Sequence, residues 1–478
     1  MGLGRKRATR YRIHERCRRL LREKDEEILK LRTCVEQLEI KVEKLIALLK
    51  QNSRNSSRPP SSDRYRTSKK RTPGERKAGG QPDHPGHCRP LISSDEVDHI
   101  VTLKPSHCAD CGEALFGEDP DPFRHQVTDF PPVRPVVHEY QLHRLVCSKC
   151  GKKTSATLPL EVPTGAFGPH VQTVASVARS VYHLSKQTTR QMFADLFGVT
   201  ISSGSLSGLE KATSEALEKP FEEALAYVQS QKTLNADETS WSEKGKKAWL
   251  WAAVADFVSV FKIQGKRDSH AMKSLLGEFD GILGSDRYSA YHEFDSSKRQ
   301  VCWAHLLRDF AAMLDRGKAA KKLGELLIVG THAMFHQWHE FKAGTKARKT
   351  FEQDMVRIQE VLFGILEDGS LCIDDKTAKV CRNLLNLKEA LFTFVRIEGI
   401  EPTNNVAERA LRWGVIWRKL GFGTQSESGS RFAERMMTVR ASLKQQGRNV
   451  VHYIQHVCQA ALKHDPIPSL IPQAVLRE

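Results

Sequence analysis

The chain has 478 residues, an apolar fraction of 40% and a formal net charge of +17. This length exceeds one typical domain, so two to four folding units are expected. The absence of a run of 18 or more apolar residues argues against a membrane span. The basic N-terminus has no apolar core like that of a secretory signal, and the odd number of cysteines (eleven) argues against a disulfide framework. Both features predict a cytoplasmic protein.

Positive charge is concentrated at the start of the chain. Residues 1–24 carry a net charge of +8 and residues 51–90 carry +7, whereas the segment between them carries −1. The first 90 residues therefore hold +14 of the total of +17. A basic arm on a nearly neutral body is typical of a protein that binds DNA or RNA, because clustered Lys and Arg side chains attract phosphates. A solvated tail without a partner is the alternative.

Residues 1–50 are predicted to form this basic arm followed by a coiled coil. Apolar side chains recur there at alternating steps of three and four, with mostly β-branched residues at the a positions and leucine at the d positions. The pattern favours two parallel helices, and hence a homodimer or a larger assembly. An amphipathic helix that packs on its own chain is the alternative. The apolar seam comprises Ile28, Leu31, Val35, Leu38, Val42, Leu45 and Leu49.

Two segments of contrasting composition follow. Residues 51–90, rich in Ser, Pro, Gly and Arg, are predicted to be a flexible basic linker, because they bury too little apolar surface to offset the entropy lost on ordering. Residues 91–160 contain two Cys-x-x-Cys pairs, each followed by a glycine that favours a left-handed turn. Thiolates two residues apart can bind one zinc ion from a single turn, so a structural Zn²⁺ site is predicted. Its four ligands would be Cys108, Cys111, Cys147 and Cys150.

Two alternatives to this zinc site stay open. The cysteines could be reduced thiols without a metal. His87, Cys88 and His107 lie close enough in sequence to replace one of the four ligands.

Residues 165–228 are predicted to be helical. Within them Thr189–Phe197, Gly198 and Ser202–Leu209 follow the order helix, glycine turn, helix, with Ser202 or Ser203 as the N-cap. A DNA-binding helix-turn-helix has this order, but two packed helices without a role in DNA binding give the same pattern.

Residues 229–478 begin with β-prone runs and end with helices. The predicted strands are Thr233–Ala236, Ala248–Ala255, Val258–Ile263 and Gly281–Ser285, with a helix at Ser269–Leu276 before the last of them. Residues 303–400 are predicted to be mostly helical, and three closing helices are predicted at residues 404–420, 430–445 and 449–463.

Three acidic residues of this region have an arrangement that could form a metal site. Asp237 ends a predicted strand, Asp286 follows another, and Glu408 lies on a helix that Asn404 can cap. Carboxylates from two strand ends and one helix can converge on a pair of Mg²⁺ ions, which prefer oxygen ligands. A turn or cap role is the alternative for each aspartate. The apolar face of the helix is predicted to comprise Val406, Ala410, Trp413 and Trp417.

Several sequence blocks, together with the double Cys-x-x-Cys module, resemble the bacterial insertion-sequence transposases of the IS66 group, the TnpC-like proteins. The resemblance extends over nearly the whole chain, and the order and combination of the blocks make it specific. The blocks are Gln51–Asp63, Ala236–Thr239, Ser285–Tyr291, Val301–His305 and Thr403–Arg409.

This resemblance implies a multidomain α/β protein with an RNase H-like catalytic core and a DDE triad. Asp237, Asp286 and Glu408 would be the first, second and third carboxylates, and they would hold two Mg²⁺ ions, for which Mn²⁺ can substitute. A helical insertion would interrupt the core at about residues 312–400. Arg287 stands where glycine is common in the family, a difference that leaves Asp286 unaffected.

The resemblance extends to Cys302-x-x-His305. A similar element lies between the second aspartate and the glutamate in several DDE groups. We expect it to have a structural role or to position a DNA end, and a buried core pair is the alternative.

The expected function is that of a DNA transposase. It would bind double-stranded DNA at the terminal inverted repeats of an insertion sequence, cleave it and join it to target DNA, associated with the bacterial nucleoid and with accessory proteins of the same element as further partners. One alternative is a catalytically inactive, zinc-containing DNA-binding regulator. Another is a structural coiled-coil protein whose basic arm binds RNA or anionic surfaces.

Overall fold

A computed structural model describes residues 89–472 together with Lys30, Arg32, Thr33, Val35 and Val42. These five isolated residues are helical, and the side chains of Val35 and Val42, both at predicted a positions, are 52% and 51% exposed. The rest of the predicted coiled-coil seam, the basic arm at residues 1–24 and the linker up to residue 88 lie outside the described residues.

The chain divides into two compact units, which are considered separately. Among the described residues, the smaller unit holds residues 89–139 and 192–200. In its first segment the Gln126 side chain accepts a hydrogen bond from the Ile92 amide and donates one to the Ile92 carbonyl, each at 2.8 Å. Further along, His107 and Ala114 form an antiparallel bridge around the first cysteine pair.

The larger unit begins with a short hairpin and a group of helices. Strands β1 (Arg144–Val146) and β2 (Lys153–Ser155) pair antiparallel around the second cysteine pair. Ser202 accepts a hydrogen bond from the Ser205 amide at 3.0 Å and so caps α3, as the sequence predicted. Gly198, after α2, has a φ of +63°, which explains the glycine in the predicted turn. The helices are α1 (Pro169–Ser180), α2 (Lys186–Phe197), α3 (Ser203–Ala216) and α4 (Glu218–Gln229), but residues 192–197 of α2 and Gly198 belong to the smaller unit.

A mixed five-stranded sheet forms the centre of this unit, in the order β5-β4-β3-β6-β7. The first three strands in sequence pair antiparallel, β6 runs parallel to β3, and β7 runs parallel to β6. Helix α5 (Ser269–Leu276) connects β5 to β6. Asp268 is its N-cap residue, and the Asp268 side chain accepts a hydrogen bond from the Ala271 amide. The strands are β3 (Thr233–Glu243), β4 (Lys246–Val254), β5 (Ser259–Gln264), β6 (Ile282–Ser285) and β7 (Arg299–Val301).

Two features of the sheet differ from the sequence prediction. Strand β3 does not end at Ala236 but continues to Glu243, because β4 pairs with it from Asn235 to Glu243. Asp237 therefore lies within a strand rather than at its end. The three-residue strand β7 was not predicted, since so short a run has no visible period.

The C-terminal helices cover the sheet. Helix α12 packs on β3 and β4, and α13 packs on β5, so that their apolar side chains complete the main hydrophobic core. The helices are α12 (Asn405–Gly421), α13 (Glu427–Gln445) and α14 (Val450–Lys463).

A second hydrophobic core lies among the helices between β7 and α12. Aromatic rings hold it together: the ring of Trp338 is 5.9 Å from that of Phe351 and 5.4 Å from that of Phe394. The helices are α6 (Trp303–Met313), α7 (Lys318–Lys342), α8 (Arg348–Ser370), α9 (Asp375–Asn386), α10 (Lys388–Leu391) and α11 (Thr393–Arg396). None of the helices described here combines the length and apolar character that crossing a bilayer requires.

Candidate active site

Asp237 and Asp286 lie side by side because β3 and β6 run parallel. Asn235 of β3 is paired with Gly284 of β6, and each aspartate is two residues further along its strand direction. Carboxylate oxygens of Asp237, Glu238 and Asp286 lie within 4.8 Å of one another. The structure thus brings two of the three predicted carboxylates together and adds a third, Glu238.

Burial and the neighbouring carboxylates raise the affinity of Asp237 for a proton. The pKa of Asp237 is well above its usual value, chiefly because of burial and then because of the charges of Glu238, Asp286 and Glu408. The Glu238 amide donates a hydrogen bond to Asp237 at 2.9 Å, which partly opposes this shift. Crowded carboxylates of this kind are stabilised by a proton or by a bound cation.

Glu238 is a site residue that the sequence analysis missed. It is buried, and burial followed by the charge of Asp286 raises its pKa to about 7. Arg267 lies 2.6 Å from one carboxylate oxygen, and the Tyr291 hydroxyl donates to the other at 2.8 Å. Successive residues of a strand normally face opposite sides of a sheet. The position of Asp237 therefore did not predict that Glu238 would lie in the same site.

Glu408 lies in the first turn of α12, within the same cleft but among different partners. The Arg308 guanidinium donates a hydrogen bond to its Oε1 at 3.0 Å, and Nδ1 of His305 is 3.5 Å from that oxygen. Ligand atoms of Cys302, His305 and Glu408 lie within 4.8 Å of one another, a separate group from that of the two aspartates. Its charge nevertheless acts on Asp237, so the three predicted carboxylates share one electrostatic environment.

The expectation that Asn404 caps α12 with its side chain is wrong. Asn404 occupies the N-cap position, but its side chain makes no capping hydrogen bond. Instead the side-chain Nδ2 of Asn404 donates a hydrogen bond to the Ala236 carbonyl at 2.7 Å, and its side-chain Oδ1 accepts one from the side chain of Asn235 at 2.9 Å. The Asn404 backbone amide also donates to Sγ of Cys302 at 3.1 Å. Asn404 is buried, and it joins α12 to β3 and to the start of α6.

The predicted apolar face of α12 is displaced around the helix. The buried positions are Ala407, Leu411, Gly414 and Trp417, of which only Trp417 was predicted. A Cβ atom on Gly414 would lie 2.2 Å from Cδ2 of Leu250 on β4, so the glycine lets the helix approach the sheet closely. This rotation places Glu408 beside the buried face and over the cleft.

The cleft that contains these carboxylates has a volume of about 1450 Å³. Cationic side chains surround the acidic centre, and amides of α9 complete the wall. Such a surface suits a polyanion that must approach a cluster of carboxylates. The cationic residues are Arg267, Arg287, Arg308, Arg409, Arg412 and Lys419.

Burial shifts the pKa values of both Cys302 and His305 in the direction that favours their uncharged forms. Cys302 is buried at the N-terminus of α6, and burial raises the pKa of its thiol to about 11 in spite of the neighbouring amides. The pKa of His305 is lowered, first by burial and then by the charge of Arg308.

The two Cys-x-x-Cys pairs have the same local geometry, although they belong to different units and are described separately. The Cys108 amide donates to the Glu113 carbonyl at 2.8 Å, and the Gly112 amide donates to the Cys108 carbonyl at 3.0 Å. The corresponding bonds of Cys147, from its own amide and from that of Gly151, are both 2.9 Å. Both glycines have positive φ, +75° and +71°, as the left-handed turn requires.

Both pairs are suited to a metal that binds thiolates. Amides of Cys111 and Asp110 lower the pKa of Cys108, and amides of Cys150 and Lys149 lower that of Cys147. Thiolates are the form that zinc binds. His107 is instead hydrogen-bonded to the Ser106 hydroxyl at 3.0 Å, and His87 and Cys88 lie outside the described residues.

Comparison with known families agrees with this geometry. The model described as "Transposase IS66 family" matches residues 164–431, more than half of the chain. The chain belongs to the IS66 transposase family. This confirms the resemblance seen in the sequence. A zinc-finger binding domain of transposase IS66 matches residues 105–151, which include all four cysteines and support zinc binding. Residues 14–90 match a family of unknown function.

Two relatives of this IS66-family protein come from Sinorhizobium fredii (strain NBRC 101917 / NGR234). Uncharacterized protein y4qI is 26% identical in an alignment of 250 residues that covers 47% of this chain and 46% of y4qI. Uncharacterized protein y4hP is 23% identical in an alignment of 393 residues that covers 73% of this chain and 70% of y4hP. The chain thus spans a little under half the length of y4qI.

Proposed function

We propose that this protein is a DDE-type DNA transposase, which binds the terminal inverted repeats of an insertion sequence, cleaves the DNA and transfers the strand to a target. One observation carries the proposal: Asp237, Asp286 and Glu408 line one cleft with cationic walls, where burial and then the charges of Glu238, Asp286 and Glu408 raise the pKa of Asp237. Membership of the IS66 family supports the same conclusion.

The sheet supports an RNase H-like core. Three antiparallel strands are followed by two parallel ones, and the first strand in sequence lies at the centre of the order β5-β4-β3-β6-β7. Such an arrangement places Asp237, within β3, beside Asp286, which follows the end of β6, and leaves α12 free to approach from one face. The helices between β7 and α12 would be the insertion.

The donor set fits divalent magnesium. Asp237 and Asp286 present carboxylate oxygens, Glu408 faces the same cleft, and burial and then the charges of the neighbouring carboxylates raise the pKa of Asp237. Mg²⁺ prefers such oxygen ligands, and Mn²⁺ accepts them too. When bound, a pair of these ions would supply a water molecule of lowered pKa and would stabilise charge on the leaving oxygen.

The chain's own residues would position the carboxylates and the DNA. Arg308 fixes Glu408 by a hydrogen bond at 3.0 Å, and Asn404 holds α12 against the strand that carries Asp237. Arg267 and Tyr291 hold Glu238 beside the two aspartates. The cationic residues of the cleft wall would bind phosphates on either side of the scissile bond.

The proposed reaction has two displacements at phosphorus. Water first attacks the phosphodiester at the end of the element and releases a 3′-hydroxyl. That hydroxyl then attacks a phosphodiester of the target, and the target's own 3′-oxygen leaves as the new bond forms.

The N-terminal regions would hold the DNA ends. We assign this role to the zinc-binding module, the basic arm and the helical segment with α2 and α3. The coiled coil would join two protomers so that two ends are processed together, with accessory proteins of the element as further partners.

A nicking assay separates this proposal from the inactive, zinc-containing regulator. The full-length protein is incubated with DNA that carries the inverted repeats flanking its gene, with Mg²⁺ or with EDTA. We expect strand cleavage at the repeat boundary with Mg²⁺ and none with EDTA. Specific binding of the repeats without cleavage in Mg²⁺ or Mn²⁺ would favour the regulator.

A further inference from the structure

Cys302, His305 and Glu408 make up a group that the proposed magnesium site does not explain. Cys302 begins α6 and His305 lies three residues later, so their side chains share one face of the helix. Glu408 reaches them from the first turn of α12. One sulfur, one ring nitrogen and one carboxylate oxygen lie within 4.8 Å of one another.

The group is preorganised in two respects. The Asn404 amide donates to Sγ of Cys302 at 3.1 Å, which ties the two helices together four residues before Glu408. Nδ1 of His305 is buried but has no hydrogen-bond partner among the described residues, although Oε1 of Glu408 lies 3.5 Å away. A buried ring nitrogen without a partner costs free energy, and this cost would be removed by a ligand at that point.

The three donor types distinguish between cations. Sulfur and imidazole nitrogen are poor ligands for Mg²⁺, whereas Zn²⁺ and Co²⁺ bind sulfur, nitrogen and carboxylate oxygen in tetrahedral sites. Three protein ligands leave the fourth position for water or a substrate atom on the cleft side.

We propose that Cys302, His305 and Glu408 form a second metal site, which binds a borderline-soft divalent cation such as Zn²⁺. On binding, a metal–sulfur bond replaces the S–H bond of Cys302, and the proton passes to solvent. The bound cation would hold Glu408 beside α6 and away from Asp237 and Asp286. The site itself does not depend on the proposed function.

Cobalt is the probe for this site, because thiolate-bound tetrahedral Co²⁺ has a charge-transfer band in the near ultraviolet and visible d–d bands. Co²⁺ is titrated into the full-length protein and into Cys302→Ser, His305→Asn and Glu408→Gln. Cys458→Ser is the matched control, since Cys458 is also buried but belongs to the main core. Any cobalt that exchanges into the Cys-x-x-Cys pairs gives the same signal in all five proteins and cancels in difference spectra.

We expect the unmodified protein and Cys458→Ser to bind one equivalent of Co²⁺ beyond any that the Cys-x-x-Cys pairs take up. The difference spectrum between the unmodified protein and Cys302→Ser should contain a thiolate charge-transfer band, because this variant loses only the contribution of Cys302. His305→Asn and Glu408→Gln should weaken binding by at least about tenfold, since even an outer-shell change costs about 10–100-fold in metal affinity. Glu408 is partly exposed, so its variant should fold even if Cys302→Ser does not. The proposal is overturned if the difference spectrum between the unmodified protein and Cys302→Ser shows no charge-transfer band, or if Glu408→Gln leaves the affinity unchanged.

Discussion

At the scale of single residues, charge repulsion decides what the cleft can bind. Asp237, Glu238 and Asp286 gather carboxylate oxygens within 4.8 Å, and the folded protein responds with raised pKa values for the first two. A group whose pKa rises on folding stabilises the protein below its unfolded pKa, and that contribution is lost as the pH rises through the folded value. For Glu238 this interval runs from its usual value of 4.5 to about 7.

The first prediction concerns magnesium and pH. Without divalent metal, the free energy of unfolding should fall between about pH 4.5 and pH 7 as these carboxylates lose protons. Because protons compete with Mg²⁺, the metal should stabilise the protein more at pH 8 than at pH 5. The measurement is urea unfolding with and without Mg²⁺ at both pH values. Asp237→Asn should be more stable than the unmodified protein without metal at pH 8 and should respond less to Mg²⁺. Equal stabilisation at both pH values would contradict this.

Asn404 carries the second prediction. Asn404→Ala would leave the Ala236 carbonyl and the Asn235 amide without their partner, which should lower the free energy of unfolding by about 1–3 kcal/mol. Asn383→Ala, on the exposed part of α9, is the control and should change it by less than about 0.5 kcal/mol. Chemical denaturation measures both. If the two variants were equally stable, Asn404 would not join α12 to the sheet.

At the scale of elements, close packing of α12 on the sheet places Glu408 over the cleft. Gly414 permits the approach, since a Cβ atom there would lie 2.2 Å from the buried side chain of Leu250. Parallel pairing of β3 with β6 sets the two aspartates beside one another in the same way. The site therefore depends on the packing of whole elements as well as on its own side chains.

A pair of glycine substitutions tests this packing. Gly414→Ala should destabilise the protein by about 1–3 kcal/mol, because the added methyl group must displace Leu250 or the helix. Gly364→Ala, in the exposed middle of α8 with no atom within 4 Å of its Cβ position, should stabilise it by about 0.5–1 kcal/mol. Thermal unfolding of both variants checks the opposite signs. A neutral Gly414→Ala would show that the contact is loose.

Elements and site residues that depend on neighbours close in sequence could be predicted from the sequence. Those that depend on partners distant in sequence could not. The α5 helix and the Ser202 cap were predictable, because they depend on neighbours a few residues away. The extension of β3 to Glu243 and the bridging role of Asn404 were not, because each depends on partners distant in sequence. Asp237, Asp286 and Glu408 were predicted as site residues from the family-like sequence blocks that contain them. Nothing in those blocks indicated that Glu238 also belongs to the site.

At the scale of the whole molecule, the IS66-family chain combines parts with different metal preferences. The Cys-x-x-Cys pairs lower the pKa of their first thiols through backbone amides, which suits zinc, whereas the cleft offers hard carboxylate oxygens, which suit magnesium. Most of the positive charge lies in the first 90 residues, far in sequence from the three carboxylates. In the proposed function this basic segment holds the DNA ends, and the cationic wall of the cleft binds phosphates near the scissile bond.

The central claim is that three carboxylates distant in sequence act together on DNA. The most direct measurement is the rate of Mg²⁺-dependent cleavage of inverted-repeat DNA by Asp237→Asn, Asp286→Asn and Glu408→Gln, each compared with the unmodified protein. Asp280→Asn is the control, since Asp280 is exposed and pairs with Lys298 at the surface. We predict that each of the three substitutions lowers the rate by at least about a thousandfold, while the control keeps it. Cleavage that survives any one of the three would contradict the account.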